Sequence, residues 1–186
     1  DDFGWDWRAL EKQNKLIIKR MDPFSITRSV RALLEKAKGE LMIDVEPVVL
    51  PFGTRPDRIV LDSLSAIAAA FVGQEESYRT YLEQLFKLFE KIGATSLLIA
   101  ETEDIPRGLL TRAGVEEFLA DGIIVMYNVL QGNHRQNALE ILKMRGASHS
   151  KNLTKMNITS RGIEVHPEDK LTYGLEHDDI YRREFK

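Results

Sequence analysis

The sequence has 186 residues, is 43% hydrophobic and 30% charged, and carries 26 Lys and Arg against 29 Asp and Glu, a net charge of −3. This excludes a disordered chain, shows no overall nucleic-acid bias, and is long enough for one sizeable domain. There is no cysteine, hence no disulfide framework or thiolate metal site; no apolar run approaches the roughly 18 residues of a membrane span, no signal peptide is visible, and a cytoplasmic protein is expected. The first residue is Asp1 rather than Met, which suggests a fragment.

Asp6 is placed to cap a short helix that Gln13-Asn14 ends, and Leu16-Ile17-Ile18 reads as a short strand leading to Met21-Asp22-Pro23. Over residues 24–38 the spacing of Ile26, Val30, Leu33, Leu34 and Ala37 predicts a helix, with Gly39 after its last turn. Leu41-Met42-Ile43 is apolar, but Pro47, Pro51, Gly53 and Pro56 break any long element, so residues 40–56 read as a helix end or strand and then a loop.

Arg58-Ile59-Val60-Leu61-Asp62-Ser63-Leu64 is the organising stretch. Its apolar run predicts a fully buried parallel strand with Asp62 at the carboxyl end, the edge where open α/β sheets bind ligands. A carboxylate there suits a magnesium ion that carries nucleotide phosphates, the form of a Walker B strand. The alternative is a plain buried strand whose Asp62 or Ser63 caps the next helix.

Residues 64–72 read as an alanine-rich helix ended by Gly73. Residues 75–92 read as a second helix with the apolar stripe Tyr78, Tyr81, Leu82, Leu85, Phe89 and Ile92, stopped by Gly93, with Glu83 spaced to pair with Lys87. A second buried strand over residues 95–100 ends at Glu101-Thr102-Glu103. After it come a loop through Pro106-Arg107-Gly108 and a short helix over residues 114–119 that passes into Ala120-Asp121-Gly122.

Then the period changes. Ile123-Ile124-Val125-Met126 opens a strand, Gln131-Gly132-Asn133 turns it, and residues 135–145 return as its partner. Gly146-Ala147-Ser148-His149 is a loop, and Met156-Asn157-Ile158-Thr159 with Gly162-Ile163-Glu164-Val165 forms a small hairpin around Ser160-Arg161. Residues 166–186 are a polar tail, and no internal linker divides the chain, so residues 1–186 read as one domain. Strand–helix units and then antiparallel hairpins predict an α/β fold, a mainly parallel sheet flanked by helices with an antiparallel addition.

The sharpest constellation is Leu142-Lys143-Met144-Arg145-Gly146-Ala147-Ser148-His149-Ser150-Lys151. Residues 133–161 hold six Lys or Arg against one acid, Glu140. Lys143 and Arg145, two apart in a strand, are expected on one face, where a point charge and a guanidinium fork suit a triphosphate. Gly146 lets a ligand approach the backbone. The alternative is a solvated edge strand whose lysines block aggregation.

Val60-Leu61-Asp62-Ser63-Leu64, Leu142-Lys143-Met144-Arg145-Gly146 with His149, and Ile158-Thr159 with Gly162-Ile163 occur in this order and at this spacing in KaiC-like ATPases of the RecA/RadA superfamily, which the chain resembles over residues 3–165. Gly4-Trp5-Asp6 and the strand leading to Glu101 are similar too. The resemblance implies a RecA-like core that assembles into a ring, commonly a hexamer, with ATP and Mg2+ between neighbouring subunits. It implies that Asp62 is the Walker B acid at the metal, with Ser63 beside it. It implies that Lys143 and Arg145 reach the neighbour's γ-phosphate in the manner of an arginine finger. Met144, His149 and Thr159 would lie beside the neighbour's nucleotide, with Lys151 near the same site. Ser160 departs from the acid that the family carries at its position.

Two further departures matter. The phosphate-cradling Gly-x-x-x-x-Gly-Lys-Ser/Thr loop occurs nowhere in the sequence, so the chain resembles the family domain with its front part missing. The family's phosphorylated Ser-Thr pair falls near Glu117-Phe118, so autokinase activity is not implied. Three functions stay open: the later part of a ring ATPase, a non-catalytic ring-forming module that serves an unidentified protein client, and a RadA-like DNA-handling protein that holds phosphates with residues 135–155, against which the net charge of −3 counts.

Overall fold

The computed structural model describes residues 3–37, 43–51, 53–101, 115–131 and 133–170. In chain order the elements are α1 (Trp7–Lys12), α2 (Pro23–Lys36), α3 (Glu46–Val49), β1 (Arg58–Asp62), α4 (Leu64–Ala70), α5 (Glu75–Ile92), β2 (Thr95–Ile99), α6 (Val115–Leu119), β3 (Gly122–Gln131), β4 (His134–Met144), β5 (Thr154–Thr159) and β6 (Gly162–Lys170). They fall into two compact units, residues 18–120 and residues 1–17 with 121–186.

The first unit is built on α5. Its apolar stripe places Tyr81, Leu82 and Leu85 entirely out of solvent, with Leu88 and Phe89 nearly so. Ile26 and Val30 of α2, Leu64 and Ile67 of α4, and Phe71 complete the same core. Phe71 stacks on Tyr81 at 5.9 Å between ring centroids. Local chemistry sets the helix ends. The Asp22 side chain accepts from the amides of Phe24 and Ser25, with Pro23 in the first turn of α2. The Ser25 hydroxyl, also bonded to Asp22, holds that carboxyl below its ordinary range. Gly93 ends α5 at φ +72°, a left-handed conformation that costs a side-chain-bearing residue more. Short α6 is tied to α5 by the Tyr78 hydroxyl, which donates to Glu116 Oε1 at 2.7 Å. Burial and that carboxylate push the Tyr78 phenol up, and burial does the same to Tyr81.

β1 and β2 form a two-stranded parallel sheet, with Asp62 opposite Ile99. The expectation of strands buried on both faces needs correcting. Both alternate exposed and half-buried residues. Ile59, Leu61 and Leu98 pack on the helical core, whereas Val60 and Leu97 point away and are 65% and 59% exposed. The pleat sends successive side chains to opposite faces, and the core covers one of them.

In the second unit β3-β4-β5-β6 form an antiparallel sheet in chain order, preceded by α1, whose first turn is capped by the Asp6 side chain on the Ala9 amide. Among the described residues the antiparallel sheet, not the parallel one, is therefore the larger. The register puts Ile124, Met126, Ile158, Ile163 and Val165 on one face, where all are at least 44% exposed. Ala138 and Met156 are the fully buried hydrophobic residues described in this unit.

Other differences are local. Leu16-Ile17-Ile18 forms no strand, and Ile17 and Ile18 stay 56% and 64% exposed, because no described strand offers them a ladder here. Where a proline-broken loop was expected, Val45, Val49 and Leu50 are buried around the single turn of α3, with Pro47 in its first positions, where its missing N–H is no loss. Glu83 takes Arg79, one turn before it, at 3.2 Å. The expected tail starts inside β6, which runs to Lys170. The readings of Gly39, Leu41, Met42 and residues 102–114 lie outside the described residues.

Leu85→Ala should destabilise the protein by about 2–5 kcal/mol, because the lost methyl groups leave a cavity in the core around α5. Val60→Ala, on the uncovered face of β1, should change stability by about 0.5 kcal/mol or less. Urea unfolding of the two variants measures the contrast.

Candidate functional site

The carboxyl edge of the β1–β2 sheet carries Asp62 and Ser63. Asp62 is the last residue of its strand and is exposed. Ser63 is the N-cap of α4: its backbone is extended and its hydroxyl accepts from the Ala66 amide at 3.2 Å. The capping role that the sequence left open between two residues thus falls to Ser63, which leaves the Asp62 carboxylate facing solvent. The Asp62–Ser63 peptide bond is cis. Ser65 joins the two strand ends, since its hydroxyl accepts from the Glu101 amide at 2.7 Å and donates to the Glu101 carbonyl at 3.3 Å. No group of three or more His, Asp or Glu that could cage a metal exists among the described residues. A lone carboxylate fits Mg2+ nonetheless, because that ion keeps several waters and takes one or two carboxylates when phosphates supply the rest.

The basic turn comes directly after β4. The strand ends at Met144, so Arg145 lies beyond it in the turn, and the expectation that Lys143 and Arg145 share one strand face does not hold. A β-bulge also precedes the pair. Ile123 faces Lys143 and Ile124 faces Ile141, so Leu142 is the additional residue on β4 and re-aims the residues after it. Asp121 fixes Arg145 at two points: its carbonyl accepts the Arg145 amide at 2.8 Å, and its carboxylate Oδ1 meets the guanidinium at 3.1 Å. Gly146 sits at φ +70°, which turns the chain out of the sheet. Met144 packs over Gly122, whose position a Cβ would contest at 3.3 Å. His149 is half-buried, and both its ring nitrogens are shielded from solvent without a hydrogen-bond partner among the described residues. Lys151 is exposed.

The β5–β6 hairpin holds Thr159 and Ser160. The Thr159 hydroxyl accepts from the Arg161 amide at 3.2 Å and bonds Glu164 Oε1 at 3.2 Å and the Gly162 carbonyl at 3.3 Å. Arg161 meets the same carboxylate oxygen at 2.6 Å and, with Thr159, holds the Glu164 carboxyl below its ordinary range. Ser160 is exposed at the turn. β4 and β5 pair only over Asn137, Ala138 and Leu139 with Met156, Lys155 and Thr154. Where that ladder stops, a cleft of about 790 Å³ opens, lined among others by His134, Arg135, Asn157 and Thr159.

Asp62 and Ser63 thus belong to one unit, and Lys143, Met144, Arg145, His149, Lys151, Thr159 and Ser160 to the other. Sequence reasoning missed Asp121, Glu164 and Asp169 as partners of the basic residues. Arg145 pairs with Asp121, Arg161 with Glu164, and Lys155 with Asp169 at 3.7 Å. Each acid lies outside the window 133–161, Glu164 only three residues past Arg161 and the other two brought in from farther along the chain, so charge counting along that window could not find it. These pairings cut into the basic stripe that DNA binding would use.

Known proteins are similar to this chain in sequence and fold. The profile of the family described as "ATPase: KaiC" matches residues 1–170. The chain is 31% identical over 174 residues to the circadian clock oscillator protein KaiC of Synechococcus elongatus, covering 89% of this chain and 31% of that protein. It is likewise 31% identical over 179 residues to the circadian clock protein KaiC3 of Synechocystis, covering 96% of this chain and 34% of that one. This chain therefore spans about a third of the length of these relatives. The crystal structure of a KaiC-like protein from the hyperthermophilic archaeon Pyrococcus horikoshii superimposes with a TM-score of 0.63 at 27% identity, covering 89% of this chain and 67% of that one.

Ser63→Ala should cost about 1 kcal/mol by loss of the α4 cap, whereas Asp62→Asn should leave stability within about 0.5 kcal/mol; chemical denaturation of both separates the capping residue from its neighbour. Glu164 adds a pH dependence. Its folded carboxyl titrates below the ordinary 4.5, so its contribution is complete above that value and is lost as pH falls through the folded one. The melting-temperature difference between wild type and Glu164→Gln should be present at neutral pH and vanish in acid.

Proposed function

This chain belongs to the KaiC ATPase family, and from that membership we propose that it is a portion of a ring-forming ATPase subunit, contributing to two nucleotide sites at once. To its own subunit's site it contributes Asp62, placed to hold Mg2+ through coordinated water while the ion carries ATP phosphates. To a neighbour's site it contributes Lys143 and Arg145, with Met144, His149, Lys151 and Thr159 alongside. Bound Mg2+ and ATP would supply the electrophilic phosphorus and its charge. The chain's own part is positioning and charge stabilisation: Asp62 orients the metal's water shell, and the two basic side chains meet the charge that develops on the transferring phosphoryl group. The loop that cradles the phosphates is not among these 186 residues, and the reading assigns it to a segment outside them.

The observation that carries the trans assignment is the position of the basic turn. Arg145 is exposed in the turn beyond an antiparallel strand, whereas a parallel sheet serves its own ligand at the carboxyl ends of its strands, where Asp62 stands. A surface turn is free to meet another subunit, and the shielded nitrogens of His149, which lack a partner among the described residues, would gain one from a nucleotide or a neighbouring chain. The hexamer and the cytoplasmic location expected from the sequence belong to this same proposal.

Subunit mixing tests it. Full-length Arg145→Ala subunits, and full-length subunits with the phosphate-loop lysine replaced, should each be slow on their own, the first by about 10³-fold if Arg145 acts as an arginine finger. Mixed rings should regain part of the ATPase rate, because some interfaces join an intact phosphate loop to an intact Arg145. Absence of rescue in rings shown by mass to be mixed would overturn the trans assignment.

A further inference from the structure

We propose that Asp121 is the positioning residue of Arg145, presenting its guanidinium at the end of β4; the inference rests on the reading of Arg145 given above. The assigned strand stops one residue short of this side chain: β4 ends at Met144, and Gly146 follows Arg145 at φ +70°. Asp121 carries the pairing of the two chains one residue past that end. Its carbonyl takes the Arg145 amide at 2.8 Å, which sets the backbone of the turn, and its carboxylate takes the guanidinium at 3.1 Å, which sets the side chain.

The anchor itself is well fixed. Asp121 directly precedes Gly122, which the register places opposite Met144, so the two chains are held side by side up to the residue adjoining each partner of the pair. Aspartate has two side-chain torsions against the long, flexible stem of arginine, and a short side chain on a fixed backbone loses little freedom in holding a long one. The Asp121 side chain is 87% exposed and that of Arg145 is 56% exposed. An ion pair this wet contributes little to folding and is readily exchanged, so its effect is on where the guanidinium points. The γ-phosphate of ATP carries more charge than a carboxylate and takes the same fork of donors. Asp121 would therefore hold Arg145 ready and then yield it, a role that requires a weak, directional contact rather than a buried, strong one.

The test uses the full-length ring and compares Asp121→Ala, Asp121→Asn, Asp121→Glu, Arg145→Ala and the double variant Asp121→Ala with Arg145→Ala. Asp121→Ala should lower kcat about tenfold with KM for ATP little changed, since a misplaced group costs transition-state stabilisation rather than ground-state binding. Asp121→Glu should restore part of the rate, and the isosteric Asp121→Asn, which keeps the fold but lacks the charge, should fall between. The double variant should be no slower than Arg145→Ala alone. Full kcat in Asp121→Ala and Asp121→Asn, with Arg145→Ala slow, would overturn this inference and leave the reading of Arg145 standing. Losses that multiply in the double variant would also overturn it, since Asp121 would then act independently of Arg145. An unimpaired Arg145→Ala would instead remove the reading on which it rests.

Discussion

Burial of the α5 stripe is the interaction on which the geometry of the Asp62 edge depends. Tyr81, Leu82 and Leu85 lose all contact with water, and the helices around them carry the face against which Ile59, Leu61 and Leu98 lie. Those three residues dock the parallel sheet on the core and thereby fix where β1 ends. Because β1 ends at Asp62 and α4 is capped by Ser63, the acid is left at a strand terminus with its side chain exposed. The position of this candidate carboxylate thus derives from an apolar stripe more than a turn of helix long, with no polar interaction of its own required.

The second unit obeys a different logic. Its described residues bury little apolar surface, and its order comes from an antiparallel ladder, its turns and its cross-strand polar pairs. Tyr127 donates to Glu140 at 2.5 Å, Asn128 to Asn137 at 2.9 Å, and Arg135 to Asn128 at 2.8 Å. Candidate residues cluster where this ladder is interrupted: at the bulge and turn after β4, and at the cleft where β4 and β5 part. Interruption frees backbone and side chains from pairing with each other, which is what a binding surface needs. Opposed to that surface chemically is the exposed apolar face of Ile124, Met126, Ile158, Ile163 and Val165, larger than a scatter of single exposed residues.

The proposed contribution of this KaiC-family chain draws on one local feature in each unit. One unit offers an acid at the end of a parallel strand, and the other a basic turn whose Arg145 is held by the short contacts of Asp121. No caged metal site exists among the described residues, and the proposed use of Mg2+ carried by phosphates does not require one.

The sequence by itself determined the elements whose signals are local. α5 was legible from residue 75 to residue 92 because a 3.6-residue stripe and a glycine stop are written in consecutive residues. The hairpin around Ser160-Arg161 and the strand ending at Asp62 were legible for the same reason, and the motifs around Asp62, Lys143 and His149 pointed to the family. Only the tertiary structure decided which faces are covered: the run Ile59-Val60-Leu61 looks equally apolar throughout, but a single face of it meets the core. The tertiary structure alone ended β4 at Met144 and left Arg145 in the turn, because a strand stops where its partner strand stops and not at a point its own residues mark. It alone brought Asp121 to Arg145, since ion pairing across a sheet depends on which strands lie side by side, a long-range property that no spacing along one strand encodes.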